Sequence, residues 1–522
     1  MIREISRRKC LRLWLCKPEY MERTKWENRF VLLRFRKKNY MMFLKDLKRF
    51  KMERLYDKLK AYSESDFYAF HMPGHKRNKT LLGIELPYDL DITEIDGFDD
   101  LHHANGILKE EQERAARVFG AEESHFLVNG STAGILSAVM GCTHRGDKIL
   151  VARHCHKSIY HAIYMNGLVP RYVYPEFDIS MHMNGEISKE DVAKALAAEP
   201  DIKAVVIVSP NYDGVVSDVK GIAEVAHSYR IPLIVDEAHG PHFGFHPAFP
   251  GRANDLGADV VINSLHKTLP SLTQTAILHI NGKIVNRRRI KKYLDMLQSS
   301  SPSYIFMASL DACVDFVDGK CENAFELYVE RLQKFREELK PLQHLQILRT
   351  EHYDISKVVI STANANITSP ELADRLRKEY HLEMEMTGGT YVLAMTTVAD
   401  TQEGLDRLKS ALLEIDDQLE AKTAVSGSIE ISGELPRLEQ YFTPQEAADR
   451  EEDGEAEEIP WKESEGHISL EYAYLYPPGS PVIVPGERIS REAVELLCYY
   501  ETQNLQIEGI QTEGKIKVWK HE

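Results

Sequence analysis

The sequence predicts an α/β protein with a mainly parallel sheet in a large domain, a smaller α/β domain after it, and an α+β piece at the C-terminus. Three observations carry that prediction. Short runs rich in Val and Ile recur from about residue 105, as strands buried on both faces require. Helical patterns with start signals separate them, and strands alternating with helices give a parallel sheet covered on both sides. The chain has 522 residues, 43% of them hydrophobic, which is enough for roughly two to four domains and a large buried core.

Taken in order, Ile107–Phe119 has helical spacing and stops before Gly120. His125–Val128 reads as a strand and Ala133–Met140 as the helix that follows it. Further strands are expected at Lys148–Ala152, Arg171–Tyr174, Lys203–Val208, Pro232–Val235, Asp259–Asn263 and Thr275–Ile280. Ser188 opens one intervening helix, and Ser217 precedes another that ends near Tyr229. A long helix around Phe325–Leu339 leads to a second α/β unit with strands at Lys357–Ser361 and Tyr391–Met395. The helix of that unit has Ser369 as N-cap and Pro370 at its first position. Residues 449–458 form an acidic run, read as a solvated loop or linker, and Ser490 caps a last helix. The resulting division is 1–51, 52–104, 105–320 (large domain), 321–425 (small domain) and 426–522 (C-terminal domain).

Charge and cysteine content exclude several classes of function. The net charge is −15, but residues 1–51 hold 17 Lys/Arg against 5 Asp/Glu, which leaves −27 on the remaining chain. Such an acidic body is a poor nucleic-acid binder, because phosphates call for Lys and Arg. A basic nucleic-acid arm is one reading of residues 1–51; the simpler one is an extension outside the folded unit, with Met52 as the natural start. No run of 18 apolar residues exists, so no membrane-spanning helix is expected. The seven cysteines are scattered and form no C-x-x-C pair, as expected of reduced thiols in a cytoplasmic protein.

Three segments carry chemistry. Gly130-Ser131-Thr132-Ala133-Gly134 follows a strand and opens a helix, where backbone N–H groups and two hydroxyls make a phosphate cup. It is neither a Walker loop nor a G-x-S-x-G elbow. Val235-Asp236-Glu237-Ala238-His239-Gly240 ends a strand, where open α/β sheets bind ligands, and a carboxylate there can hold a heterocyclic nitrogen protonated. Asp-Glu-Ala-His is also a helicase magnesium motif, but the required phosphate loop is missing. The spacing of His239, His242 and His246 is open to metal ligation; hydrogen-bonded site histidines are the preferred reading, and no metal is expected. Asn263-Ser264-Leu265-His266-Lys267-Thr268 places a lysine at the end of a buried strand, where a neutral amine can form a Schiff base. A phosphate cup, a strand-end carboxylate about a hundred residues on and a lysine some 30 residues beyond it meet the needs of pyridoxal 5'-phosphate.

With these residues in view, the sequence resembles the fold-type-I pyridoxal-phosphate enzymes, specifically the ornithine/lysine/arginine decarboxylase family. The resemblance also rests on Phe70-His71-Met72-Pro73-Gly74-His75-Lys76, Asp91-Ile92-Thr93-Glu94, Asp99-Asp100-Leu101-His102, Cys155-His156-Lys157-Ser158 and the C-terminal Pro-Pro-Gly…Pro-Gly-Glu ending at Glu487. It runs from about residue 55 to 490, and with only 70 residues before His71 the sequence resembles the short form, which lacks an amino-terminal wing domain.

The resemblance implies that Lys267 holds the cofactor aldehyde, that Asp236 pairs with the pyridinium nitrogen, and that His156 stacks on the ring. It implies that Ser131, Thr132, Ser264 and His266 hold the phosphate, that Ala238 and His239 lie near the ring, and that Glu487 shapes a substrate entrance suited to a cationic side chain. The expected function is decarboxylation of a basic amino acid, arginine first, then lysine or ornithine, feeding polyamine synthesis, in a homodimer or larger homo-oligomer. The alternatives are an aminotransferase on the same framework and a non-catalytic binding or regulatory paralogue. An acidic body is compatible with attracting cationic amino acids, as a salt-screened rate effect.

Overall fold

The computed structural model describes residues 54–178, 183–348, 352–421, 434–475, 479–502 and 505–520. The basic stretch 1–51 lies outside the described residues, as do Pro477 and Pro478 of the C-terminal motif.

The larger sheet has seven strands: β1 (Glu123–Leu127), β2 (Lys148–Ala152), β3 (Val169–Val173), β4 (Val205–Val208), β5 (Leu233–Asp236), β6 (Val260–Asn263) and β7 (Ala276–Ile280). Their order across the sheet is β1-β7-β6-β5-β4-β2-β3. From β6 to β3 every neighbour is parallel, with Val206 opposite Ile234 and Val235 opposite Val261. β7 pairs antiparallel with both β6 and β1, which closes that edge. Every residue of β4 to β7 is buried, so both faces of the sheet are covered and the apolar runs of the sequence are explained.

Helices α1 (Leu55–Ser63) and α2 (Ile107–Val118) precede the sheet. α3 (Gly130–Cys142), α4 (Lys157–Met165), α5 (Lys189–Ala198) and α6 (Val219–Ser228) cross over between strands, followed by the single turn α7 (Leu265–Thr268) and α8 (Arg287–Leu297). α3 packs so closely on α8 that a Cβ on Gly141 would stand 2.8 Å from Ile290 Cα, so only glycine fits there. Ser188 caps α5 as expected, whereas α6 is capped by Asp218, whose carboxylate accepts from Gly221 N–H. The hydroxyl of Ser217 instead accepts from Ile187 N–H.

α9 (Tyr304–Val317) and α10 (Glu322–Glu338) lead to a second, smaller sheet. Its strands β8 (Gln346–Ile347), β9 (Lys357–Ser361), β10 (Met386–Thr387) and β11 (Tyr391–Met395) lie in the order β8-β9-β11-β10 and run antiparallel, covered by α11 (Ser369–Tyr380) and α12 (Gln402–Asp416). The N-cap of α11 is Thr368 rather than Ser369: Thr368 and Glu371 form a capping box, while the Ser369 hydroxyl donates to Gly388 O.

The acidic run 449–458 is not a linker. It falls on α13 (Pro444–Glu452), opened by a Thr443–Glu446 capping box, and on β12 (Ala456–Pro460), which pairs with β13 (Lys515–Trp519). Its acids stay on the solvent side, where Lys517 meets Glu451 and Arg450 meets Glu455. The core beneath contains Trp461, Ile483, Leu496 and Val518. Among the described residues, no helix is long and apolar enough to cross a membrane.

Candidate active site

Four of the parallel strands and β1 deliver their following loops to one end of the sheet, where a cavity of about 600 Å³ opens. Ser131, Thr132, His156, Asp236, Ala238, His239, Ser264, His266 and Lys267 all line it.

β1 ends at Leu127 and the chain turns through Asn129 into α3. Asn129 does not cap the helix, because its side-chain oxygen accepts from Ser299 N–H at 3.1 Å. Gly130 takes φ +73°, and its N–H donates to Gln274 O at 2.9 Å. The rest of the first turn therefore presents its amides to the cavity without a side-chain acceptor, as an anion site needs. The hydroxyls of Ser131 and Ser264 are hydrogen-bonded to each other, which joins this turn to the end of β6.

His156 is the N-cap of α4. Its Nδ1 accepts from Ser158 N–H at 3.3 Å and lies 2.8 Å from the Ser158 hydroxyl, so the ring is held with Nε2 as its remaining polar atom. Burial and the nearby Lys267 push its pKa down to about 4, leaving the imidazole neutral at pH 7.

Asp236 is the last residue of β5 and is 3% exposed. Its Oδ1 accepts from Ala238 N–H at 3.1 Å. Burial raises its pKa, and Lys267 counters that effect. Among the described residues no cation stands within ion-pair distance of it, so this buried acid faces the cavity in need of a positive partner. Lys267, on α7, has its Nζ 2.8 Å from His239 Nε2. Burial draws its pKa below that of a free lysine, against the pull of Asp236 and Glu385. The His239 ring is tilted by 56° against Tyr212, with ring centroids 4.6 Å apart. His266 Nδ1–H donates to Thr275 O at 2.9 Å.

A pyridoxal phosphate suits this donor set. The uncapped turn and the hydroxyls of Ser131, Thr132 and Ser264 suit its phosphate, the unpaired Asp236 suits a protonated ring nitrogen, and Lys267 suits its aldehyde.

Glu487 is not part of the cavity. It is fully buried, its Oε2 lies 2.9 Å from Arg153 Nη2, and the same oxygen accepts from Val484 N–H at 2.8 Å. The carboxylate that was expected at a substrate entrance instead fastens the C-terminal domain to the residue after β2. His242 and His246 also turn elsewhere. His242 bridges the Thr268 hydroxyl (3.0 Å) and Asp354 (3.1 Å), and His246 pairs with Glu326 at 3.0 Å. His75 stacks on Tyr88 and meets Asp91 at 3.3 Å, and His102 lies 2.8 Å from the Ser299 carbonyl; neither lines the cavity.

Sequence reasoning missed Tyr212, Glu385 and Lys357. Tyr212 follows the end of β4 and donates its hydroxyl to Glu385, and both line the cavity. Its place just past a predicted strand was a usable signal; Glu385 had none. Lys357 opens β9 and puts its Nζ 2.8 Å from His239 Nδ1. A charged residue leading a buried, Val- and Ile-rich strand was its only mark.

Comparison with known proteins identifies the family. The family model described as Orn/Lys/Arg decarboxylase, major domain, matches residues 53–371, and that described as Orn/Lys/Arg decarboxylase, C-terminal domain, matches residues 433–514. The arginine decarboxylase of Bacillus subtilis (strain 168) is 33% identical over 471 residues, covering 87% of this chain and 95% of that protein. The lysine decarboxylase LdcA of Pseudomonas aeruginosa is 25% identical over 552 residues, covering 83% of this chain and 73% of that protein. Among solved structures, the constitutive lysine decarboxylase of E. coli has the same fold, with a TM-score of 0.76 at 21% identity over 96% of this chain and 86% of that chain. Matched along both a major and a C-terminal domain, this chain belongs to the Orn/Lys/Arg decarboxylase family.

Proposed function

We propose that this enzyme is a pyridoxal-phosphate-dependent arginine decarboxylase, converting arginine to agmatine and CO₂ and so feeding polyamine synthesis. Lys267 carries the reading of the chemistry. Its amine stands in a cavity whose other walls are an uncapped helix start and a buried acid with no cation beside it. Arginine is favoured as substrate because relatives named arginine decarboxylase are 32–33% identical to this chain, against 23–25% for those named lysine decarboxylase.

Held by Ser131, Thr132, Ser264, Asp236 and Lys267, the cofactor would supply an electron sink for the bonding pair that departing CO₂ leaves behind. The chain's own groups do the rest. Asp236 keeps a negative charge where the ring nitrogen needs it, and the neutral His156 offers an uncharged ring face. Lys267 Nζ carries a proton to the carbon that lost its carboxylate, so one CO₂ leaves and one proton enters. Glu385, the cavity's other acid, meets the cationic side chain of the substrate.

The working form is a homodimer in the cytoplasm. Between residues 67 and 86 the large apolar side chains Phe67, Tyr68, Phe70, Met72, Leu81 and Leu82 are each exposed, and a second copy is the natural cover. The cysteines among the described residues are free, in keeping with a reducing compartment.

CO₂ release from arginine, lysine and ornithine, measured without any keto acid, tests the reading. Arginine should give the highest kcat/KM, and K267A should fall to background. A requirement for a keto acid, or full turnover in pure K267A protein, would sink it.

A further inference from the structure

Lys357 opens β9 of the smaller sheet, is fully buried, and ends on a histidine that follows β5 of the larger one. Its Nζ lies 2.8 Å from His239 Nδ1, while Lys267 Nζ lies 2.8 Å from Nε2 of the same ring. A neutral imidazole has one N–H and one lone pair, and an ammonium can only donate. Both contacts are therefore hydrogen bonds only if at least one of the two amines is uncharged and accepts from the ring. A protonated ring would require both amines to be neutral. Two lysines and a histidine in this arrangement hold at most one positive charge.

We propose that Lys357 is a positioning residue that shares this single charge with Lys267 across His239, and so keeps Lys267 available as the uncharged amine that a carbonyl cofactor needs. The neighbours favour placing the charge on Lys357. It faces Asp354, Asp213 and Glu385, with Lys267 opposing, and Tyr353 donates to its backbone carbonyl. Asp354 is fixed by the Ser356 hydroxyl (2.7 Å) and by His242, which also holds Thr268, the residue after Lys267. Asp213 accepts from the Tyr391 hydroxyl at 2.6 Å. Lys267 faces Asp236 and Glu385 together with His156, His239 and His266. The Lys357 stem has little freedom to leave. A Cβ on Gly214 would lie 2.7 Å from Lys357 Cγ, so the backbone there closes directly on the side chain.

Burial lowers Lys267 and pulls Lys357 down to about 8, and it holds His239 well below its ordinary value, in keeping with a neutral ring between two amines that do not both stay charged. A neighbouring cation is a known way to hold a reactive lysine neutral.

This inference rests on Lys267 as the reacting amine, and its test is read on the full chain freed of cofactor, so a mistaken substrate would leave the result unchanged. The pH dependence of Lys267 acetylation by acetic anhydride, followed by peptide mass spectrometry, reports the midpoint of that amine. In the wild type it should fall at least about one pH unit below the ordinary value of roughly 10.4. K357M removes both the bond and the charge, and K357Q keeps a donor without the charge; each should raise the midpoint by about one unit or more. K357R keeps a fixed positive charge and should hold it at or below the wild-type value. An ordinary midpoint in the wild type overturns the proposal with no variant needed. So does an unchanged midpoint in a folded K357M or K357Q, or a rise in K357R as large as in K357Q.

Discussion

Asp236 and Glu385 carry the same functional group into the same cavity, and their surroundings give them different work. Asp236 is sealed at the end of β5, so its charge is strong, fixed and costly to leave unpaired. Glu385 is exposed and held by the Tyr212 hydroxyl, where it can meet a mobile cationic group without a large desolvation cost. E385Q keeps that shape and removes the charge. It should raise KM for arginine by about tenfold with kcat within about threefold, the pattern of lost binding that is common to ground and transition states. Steady-state kinetics decide: a fall in kcat at unchanged KM would put Glu385 in the chemical step. Glu487 shows how a buried partner escapes a reading of the sequence. A motif near a glycine turn is visible in sequence, but the guanidinium of Arg153, 334 positions away, is not. That partner is fully buried, lies over the Tyr172 ring at 4.7 Å and donates as well to Val482 O, so Glu487 has no charge to spare for a substrate.

Helix starts follow the same logic at the scale of elements. Thr368 and Ser369 are both good capping residues by type, and Pro370 fits either register, so sequence alone does not choose between them. Glu371 does, because a capping box needs the acid three positions after the cap, and its Oε2 accepts from Thr368 N–H at 2.9 Å. T368A should cost about 1 kcal/mol of stability, and T368A with E371A should be less than additive. S369A should combine additively with E371A in the same thermal or urea unfolding measurements. The strands were more legible than the caps. Lys148–Ala152, Lys357–Ser361 and Tyr391–Met395 match their predicted bounds, since buried strands are set by unbroken apolar runs that a turn must end. The acidic run misled for the opposite reason. Charge reports a solvated face and is silent on whether the backbone beneath it is helix, strand or loop. Within the site, residues following a strand of the seven-stranded sheet or opening a helix carry a signal that can be read in order along the chain. Lys357 and Glu385 come from the β8–β11 part of the chain, more than 100 positions from His239 and Tyr212, and only the folded chain brings them together.

For the whole molecule, buried neutral histidines set a limit on acid tolerance. His279 is fully enclosed, with Nδ1 2.6 Å from the Ser124 hydroxyl and the Phe119 ring 5.1 Å away, and its Nε2 has no hydrogen-bond partner among the described residues. Burial pushes its pKa down to about 3. His154, beside the cavity and also lacking a partner at Nδ1, is pushed to about 4. In the unfolded chain both titrate near 6.5. Between pH 6.5 and those lowered values the unfolded state binds more protons than the folded one, so stability rises with pH across that window and is lost on acidification. Above pH 6.5 both states hold these rings neutral and the dependence vanishes. Each histidine should contribute a slope on the order of 1 kcal/mol per pH unit once the pH is well inside the window. H279Q keeps a polar group for Ser124 and cannot gain a proton. Its urea midpoint should therefore start below that of the wild type at pH 7.5 and draw level with it, or pass it, as the pH falls to 5. Two curves that stay parallel from pH 7.5 to 5 would remove His279 as a source of acid sensitivity.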